Sequence, residues 1–152
     1  MRTLSMLKAA IAVAVLTWAA PTVAEESLGN GLVVRQSSGV TYVSGGIGDG
    51  QQDALNQVSS RFNLKVTMAM KDGKYISNAD VRIVDRHGKE ILDTTAQGPM
   101  LFAKLPPGNY HVEATASGQS RSQDVNVPAE GQKQVMLTWP QSADDSFKTS
   151  RR

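Results

Sequence analysis

Several groups of residues in this sequence have types and spacing that could do chemistry. Gly45, Gly46, Gly48 and Gly50 precede a stretch with helical spacing, and backbone amides at a helix N-terminus can cradle phosphate. A phosphate loop needs a lysine followed by serine or threonine after its last glycine, whereas Gln51 and Gln52 stand here, so the segment reads as a strand-to-helix turn. Met68 and Met70 share one side of an extended segment. Paired thioethers can bind copper(I) in an oxidising compartment. Methionines on an apolar strand face more commonly fill irregular core space. His111 and Glu113 share a strand face, but no nucleophile elbow accompanies them. The absence of cysteine and the separation of His87 from His111 exclude a structural zinc cluster and a Cys/His nucleophile. Most aspartates stand in or beside turns, where carboxylates accept backbone hydrogen bonds.

The elements that must position these groups are mostly strands. From Asn63 the period is two: Leu64, Val66, Met68 and Met70 fall on one side, and Lys65, Thr67 and Lys71 on the other. Asp72-Gly73, Asp85-Arg86-His87-Gly88 and Ser117-Gly118 are turn sequences, and further strands are predicted at 81–84, 90–94, 100–104, 110–116, 120–127 and 132–139. This spacing predicts an antiparallel sandwich of about seven strands over 63–139. Inward-facing Leu64, Val66, Ile83, Tyr110, Val112 and Leu137 are expected in its core. Ahead of it lies a leader, 25–62, whose run Leu32-Val33-Val34 is expected to pair as an edge strand. Val40 to Val43 predicts another short strand, and Ala54, Leu55, Val58 and Phe62 predict one short helix within 49–61, capped by Asp49 or Gly50. Residues 140–152 lack periodicity and are expected to be a disordered tail.

Leu105-Pro106-Pro107-Gly108-Asn109-Tyr110, followed by the alternating stretch His111 to Ala116, marks a loop between strands. It resembles the L-P-P-G-x-Y-x-V signature of carboxypeptidase regulatory-like domains, and the resemblance covers roughly 63–139. What it implies is a mainly β, transthyretin-like/Ig-like sandwich with Tyr110 packed inward, in a module that binds, spaces or stabilises and does no chemistry. Val40 to Gly48, the helix, and Arg61-Phe62-Asn63-Leu64-Lys65 also look like the front end of small exported Gram-negative proteins carrying this domain. Some transthyretin-like surface domains form a lysine to asparagine isopeptide bond assisted by a buried acid. Lys65, Asn126 and Glu113 are available for it, but strand alternation turns all three toward solvent.

Arg2 and Lys8 precede an apolar run from Ala9 to Ala19, and small residues close the segment, predicting a signal peptide over 1–24 cleaved between Ala24 and Glu25. The run is shorter than the about 20 apolar residues of a spanning helix, so no stable membrane insertion is expected. The expected location is the periplasm, or secretion. Cleavage leaves 128 of 152 residues, with 14 basic residues (16 less Arg2 and Lys8) against 14 acidic ones. A neutral chain gives no electrostatic reason for a nucleic-acid partner, and none is expected. No cofactor is expected either. The expected function is an exported, non-catalytic module for protein interaction or envelope structure, docking another envelope protein or itself through an exposed strand edge. The alternative is a carbohydrate-binding module for cell-wall glycan, with Tyr75, Trp139 and Tyr42 as the aromatics available for stacking or partner contact. A subsidiary alternative is a periplasmic copper-binding protein using Met68 and Met70.

Overall fold

Alternating apolar and polar residues commit most of this chain to strands with one buried face. The computed structural model describes residues 25–140; the expected signal peptide and residues 141–152 of the expected tail lie outside the described residues. The elements, in order, are β1 (Glu26–Gly29), β2 (Leu32–Ser37), β3 (Val40–Gly45), α1 (Gly48–Val58), a 3-10 turn (Ser59–Arg61), β4 (Leu64–Met70), β5 (Asp80–Asp85), β6 (Glu90–Thr95), β7 (Met100–Lys104), β8 (Gly108–Ala116), β9 (Gln119–Val127) and β10 (Lys133–Trp139). Two sheets form: a six-stranded one in the order β1-β2-β3-β7-β4-β10, and a four-stranded one in the order β6-β5-β8-β9. The chain is thus mainly β and sandwich-like, and β4 to β10 account for the seven strands expected over 63–139.

Pairing is antiparallel except between β4 and β10, which run parallel with Val66 beside Val135 and Met68 beside Leu137. After β9 the chain turns through Pro128 to Gly131 and crosses to the other sheet, which brings β10 alongside β4 in the same direction. The leader enters the sheet more deeply than an edge strand does. β3 lies between β2 and β7, with Val43 opposite Phe102 and Tyr42 opposite Ala103. Both its faces find apolar cover, which is why it is held inside the sheet: Val40 and Tyr42 join the core between the sheets, and Val43 joins a second cluster on the outer side.

That second cluster comprises Leu32, Val34, Val43, Leu55, Phe62 and Phe102. Leu55 is the fully buried residue of α1, so the helix lies on the outer face of the six-stranded sheet over β2, β3 and β7. The Phe62 and Phe102 rings pack 6.0 Å apart, tilted by 56°, in the geometry aromatic pairs favour. The helix begins one residue earlier than expected. Its N-cap is Ile47, with no side-chain cap, and Asp49 sits in the first turn instead, where a carboxylate favours the positive end of the helix dipole.

Asn63 joins the layers. Its side chain donates to the Leu105 carbonyl at 2.7 Å and accepts from the Leu105 amide at 2.9 Å. Its backbone amide donates to Ala103, and its carbonyl accepts from Lys133. One buried residue thereby fixes the end of β7, the proline loop and the start of β10. Gly98 plays a steric role: a methyl group there would overlap the Gly45 backbone, so the connection from β6 to β7 can pass β3 only without a side chain.

Asn63→Ala is expected to lower stability by about 2–5 kcal/mol, because it strands both the amide and the carbonyl of Leu105 in the interior. Denaturant melts of wild type and variant check it. Gly98→Ala, measured the same way, is expected to destabilise by at least about 1–3 kcal/mol through overpacking.

Candidate functional site

Most of the chemically suggestive residues turn out to be occupied by the fold. At the glycine turn the Gln51 side-chain oxygen accepts from the Gly46 and Ile47 amides, both at 3.1 Å, while its nitrogen donates to the Asn30 carbonyl at 2.9 Å. Two amides of the glycine turn are thereby taken by a side chain, and the same glutamine ties the turn between β1 and β2 to the helix. Lys65 lies on the outer side of β4 with its ammonium 5.5 Å from the Phe102 ring centroid. Glu113 and Asn126 lie on β8 and β9, in the other sheet. The sandwich core separates lysine from acid and asparagine, so no isopeptide geometry exists between them.

Met68 is wholly buried in the core between the sheets, and Met70 is partly buried against it. His111 stands on the outer side of β8, on a half-exposed side chain, and His87 lies in the turn after β5. No histidine is brought to the two thioethers, and Met68 has no solvent-facing coordination position. Among the described residues no three His, Asp or Glu side chains converge as a metal site.

The aromatics expected to be available separate sharply. Trp139 is 3% exposed and its indole N–H donates to the Gln119 carbonyl at 2.8 Å. Tyr42 is 8% exposed, with its hydroxyl accepting from Thr94 at 3.4 Å. Both were named as candidates for stacking or partner contact; both pack in the core, because their strand positions alternate with outward ones, and neither is available to a ligand. Tyr75 is 55% exposed and lies opposite Ala69 in an isolated antiparallel bridge beside β4.

Two surface features remain. The first is the outer face of the six-stranded sheet beyond the helix. Along one register row Gly45, Met100, Thr67 and Met136 follow each other across β3, β7, β4 and β10. In the next row Tyr75, Ala69 and Thr138 are neighbours. Met136, 62% exposed, and Tyr75 therefore stand on one face, and Ile47, 57% exposed, precedes the helix layered on that face. These three are the exposed large apolar side chains among the described residues. Met136 was not singled out from the sequence, although its place between inward Val135 and Leu137 points it outward.

The second feature is a shallow depression of about 510 Å³ at the end of β5, β8 and β9. Its floor is polar: His111 Nδ1 lies 2.6 Å from an Asp124 carboxylate oxygen, and Asn126 donates to Asn109 at 2.8 Å. These pairs face each other across β8 and β9, and Arg86 and Asp85 flank them. Tyr110 forms one wall, its hydroxyl donating to the Pro106 carbonyl at 2.6 Å. Burial, with the Asp85 charge nearby, pushes the Tyr110 phenol above its ordinary range. Desolvation pushes Asp85 upward, but the amides of Lys89 and His87 and nearby positive charge outweigh it, and its carboxyl sits below the usual range. Elsewhere the Arg61 hydrogen bonds lower Glu26, and the Lys74 amide lowers Asp72.

The architecture is that of a mainly β sandwich, compatible with a transthyretin-like or Ig-like fold. No family model matches this sequence, and no curated protein matches it. Among solved structures, the TIE protein of Bacillus anthracis is similar at 19% identity with a TM-score of 0.41. The match covers 52% of this chain and 16% of that one, so this chain corresponds to a small part of that protein's length.

The raised Tyr110 phenol has a direct consequence. Its protonated form is the one the fold favours, so its contribution to stability is complete below the unfolded value of about 10 and is lost as pH rises through the higher folded value. Tyrosinate absorbance titrations of wild type and Tyr110→Phe should differ by one late-ionising group. The same variant should lose about 1 kcal/mol near neutral pH with the hydrogen bond to Pro106.

Proposed function

We propose that this chain is an exported, non-catalytic interaction module that docks a protein partner on the outer face of β4 and β10. The observation that carries the reading is the placement of Tyr75 and Met136 together on the part of that face α1 leaves uncovered. Apart from Ile47 ahead of α1, the other large apolar side chains among the described residues are mostly gathered into two clusters under sheet or helix cover. Export follows from the segment ending at Ala24, with cleavage before Glu25 placing the chain in the periplasm or outside the cell. The carboxypeptidase regulatory-like resemblance supports the same reading, since such domains bind, space or stabilise, and in this chain Tyr110 and the proline loop are used for packing. Among the described residues no strand pairs with the outer edge of β10, which lies next to the exposed face, so a partner strand could add there while its side chains reach Met136.

The polar depression favours a second reading, the binding of a saccharide. The His111–Asp124 and Asn109–Asn126 pairs present donors and acceptors to hydroxyl groups, with no contribution from the buried Trp139. A glycan array with wild type and Asn126→Ala tests it, and equal signals from both would remove it.

For the leading reading, a photo-cross-linking amino acid placed at Met136 in the exporting cell should give a protein adduct of defined mass. The same group placed at Asn126, in the other sheet, should not. Adducts at both positions alike, or at neither, would count against a docking role for this face.

A further inference from the structure

Among the described residues one buried polar side-chain atom has no hydrogen-bond partner, the Nε of Arg121. Arg121 lies on β9 opposite Ala114, a core residue of β8, so it takes the same inward position as Val125 and Val127 farther along the strand. β9 is an edge strand, and over its first half these inward positions turn polar: Gln119 and Gln123 are exposed, and Arg121 is partly buried. An inward cation on an edge strand is a device that discourages indiscriminate strand pairing.

β10 is the edge of the other sheet and runs back beside β9. The chain passes from Val127 through a short turn to Lys133, and at the far end the Trp139 indole donates to the Gln119 carbonyl. The two edges form a seam, with Lys133 at one end and Arg121 toward the other. Lys133 shares the inward parity of Val135 and Leu137 but is exposed. Neither cation has a carboxylate within ion-pair distance among the described residues. Of the acids on these elements, Asp124 stands on the outer side of β9, paired with His111, and Glu130 lies exposed in the turn.

β10 also carries unused backbone groups. The Lys133 amide donates to Asn63 and the Trp139 carbonyl accepts from Lys71, both on the β4 side. Successive residues of a strand direct their peptide groups to opposite edges. Gln134, Met136 and Thr138 therefore direct theirs away from β4, where no strand pairs among the described residues.

We propose that β10 takes up an extended segment of a partner whose side chains alternate between apolar and acidic, the acidic ones turned inward to Arg121. This rests on the interaction reading above and names the partner's chemistry. Backbone bonds to Gln134, Met136 and Thr138 add the strand. One set of its side chains continues the outer row beyond Met136 and is apolar. The other set enters the seam beneath the edge of β9, where Gln123 and Arg121 overhang it. A carboxylate there gives the guanidinium a charged acceptor, the stronger kind of hydrogen bond. The residue that discourages an apolar strand thus selects an acidic one.

Two synthetic peptides test this on the secreted chain by calorimetry, one alternating valine with glutamate and one alternating valine with lysine. Wild type should bind the glutamate peptide at least about tenfold more tightly, the scale of one hydrogen bond to a charged group. Arg121→Met keeps the apolar stem and removes the orphaned donor, so it should be no less stable in denaturant melts while losing most of that preference. Thr138→Pro deletes an edge amide that the pairing with β4 does not use, and should bind neither peptide. Equal binding of both peptides by wild type, a preference undiminished in Arg121→Met, or binding unchanged in Thr138→Pro would overturn the proposal. If the cross-linker at Met136 captures a protein while the peptides show no preference, this partner chemistry falls and the docking face stands. If the glutamate peptide binds as expected while that cross-linker captures nothing, the strand site stands and the reading of a cellular partner on this face falls.

Discussion

The side chain of one buried asparagine holds this sandwich in register. Asn63 sits where the helical layer ends and the first strand of the main sandwich begins, and a buried amide there must find partners for its donor and acceptor. It finds both on Leu105, at the start of the proline loop. Since its own backbone is bonded to Ala103 and Lys133, the loop, the end of β7 and the start of β10 are positioned by the same residue. The loop then leads into β8, whose Tyr110 closes it from below through Pro106. The depression beside Tyr110 and the course of β10 past β4 both follow from this arrangement, so both surface features of interest depend on a residue that reaches neither.

The segment before Asn63 decides how much of the six-stranded sheet is seen by solvent. The hairpin of β1 and β2, together with α1, buries Val43 and Phe102 on the outer side and stops there. Gln51 locks that cover in place by bonding simultaneously to the glycine turn and to Asn30. Beyond it β4 and β10 keep an outward face bearing Lys65, Gln134, Met136 and Thr138, with Tyr75 beside Ala69. A wider leader would have sealed this face and left the molecule an inert spacer. The partial cover is what makes an interaction face physically available.

The same economy of groups governs the polar residues. Gln51, Asn63, the Tyr110 hydroxyl and the Trp139 indole are all spent on backbone partners, and His111 is engaged by Asp124. Residues whose types suggest binding or catalysis therefore serve in this fold to satisfy buried or turn backbone, a requirement every packed chain faces. Charged side chains are left to the outward strand positions, the ones free of packing: Lys65 on β4 and Lys104 on β7, and Asp80, Arg82, Asp93, Glu113 and Asp124 on the four-stranded sheet.

What the sequence by itself determined is the local rule. Period-two alternation from Leu64 to Trp139 set seven strands and their inward faces, the turn residues set the hairpins, and the proline loop set the place of Tyr110. Those signals are local because side-chain direction in a strand alternates whatever the partner. Alternation alone also points Met136 outward and Trp139 inward. Tertiary structure alone decided the rest. The parallel pairing of β10 with β4, the insertion of β3 between β2 and β7, and the extent of helical cover all depend on contacts between segments far apart in the chain. The assembly of Tyr75 and Met136 onto one face is of the same kind. No window of sequence contains both residues, and only the stacking of β4 against β10 and the hairpin makes them neighbours.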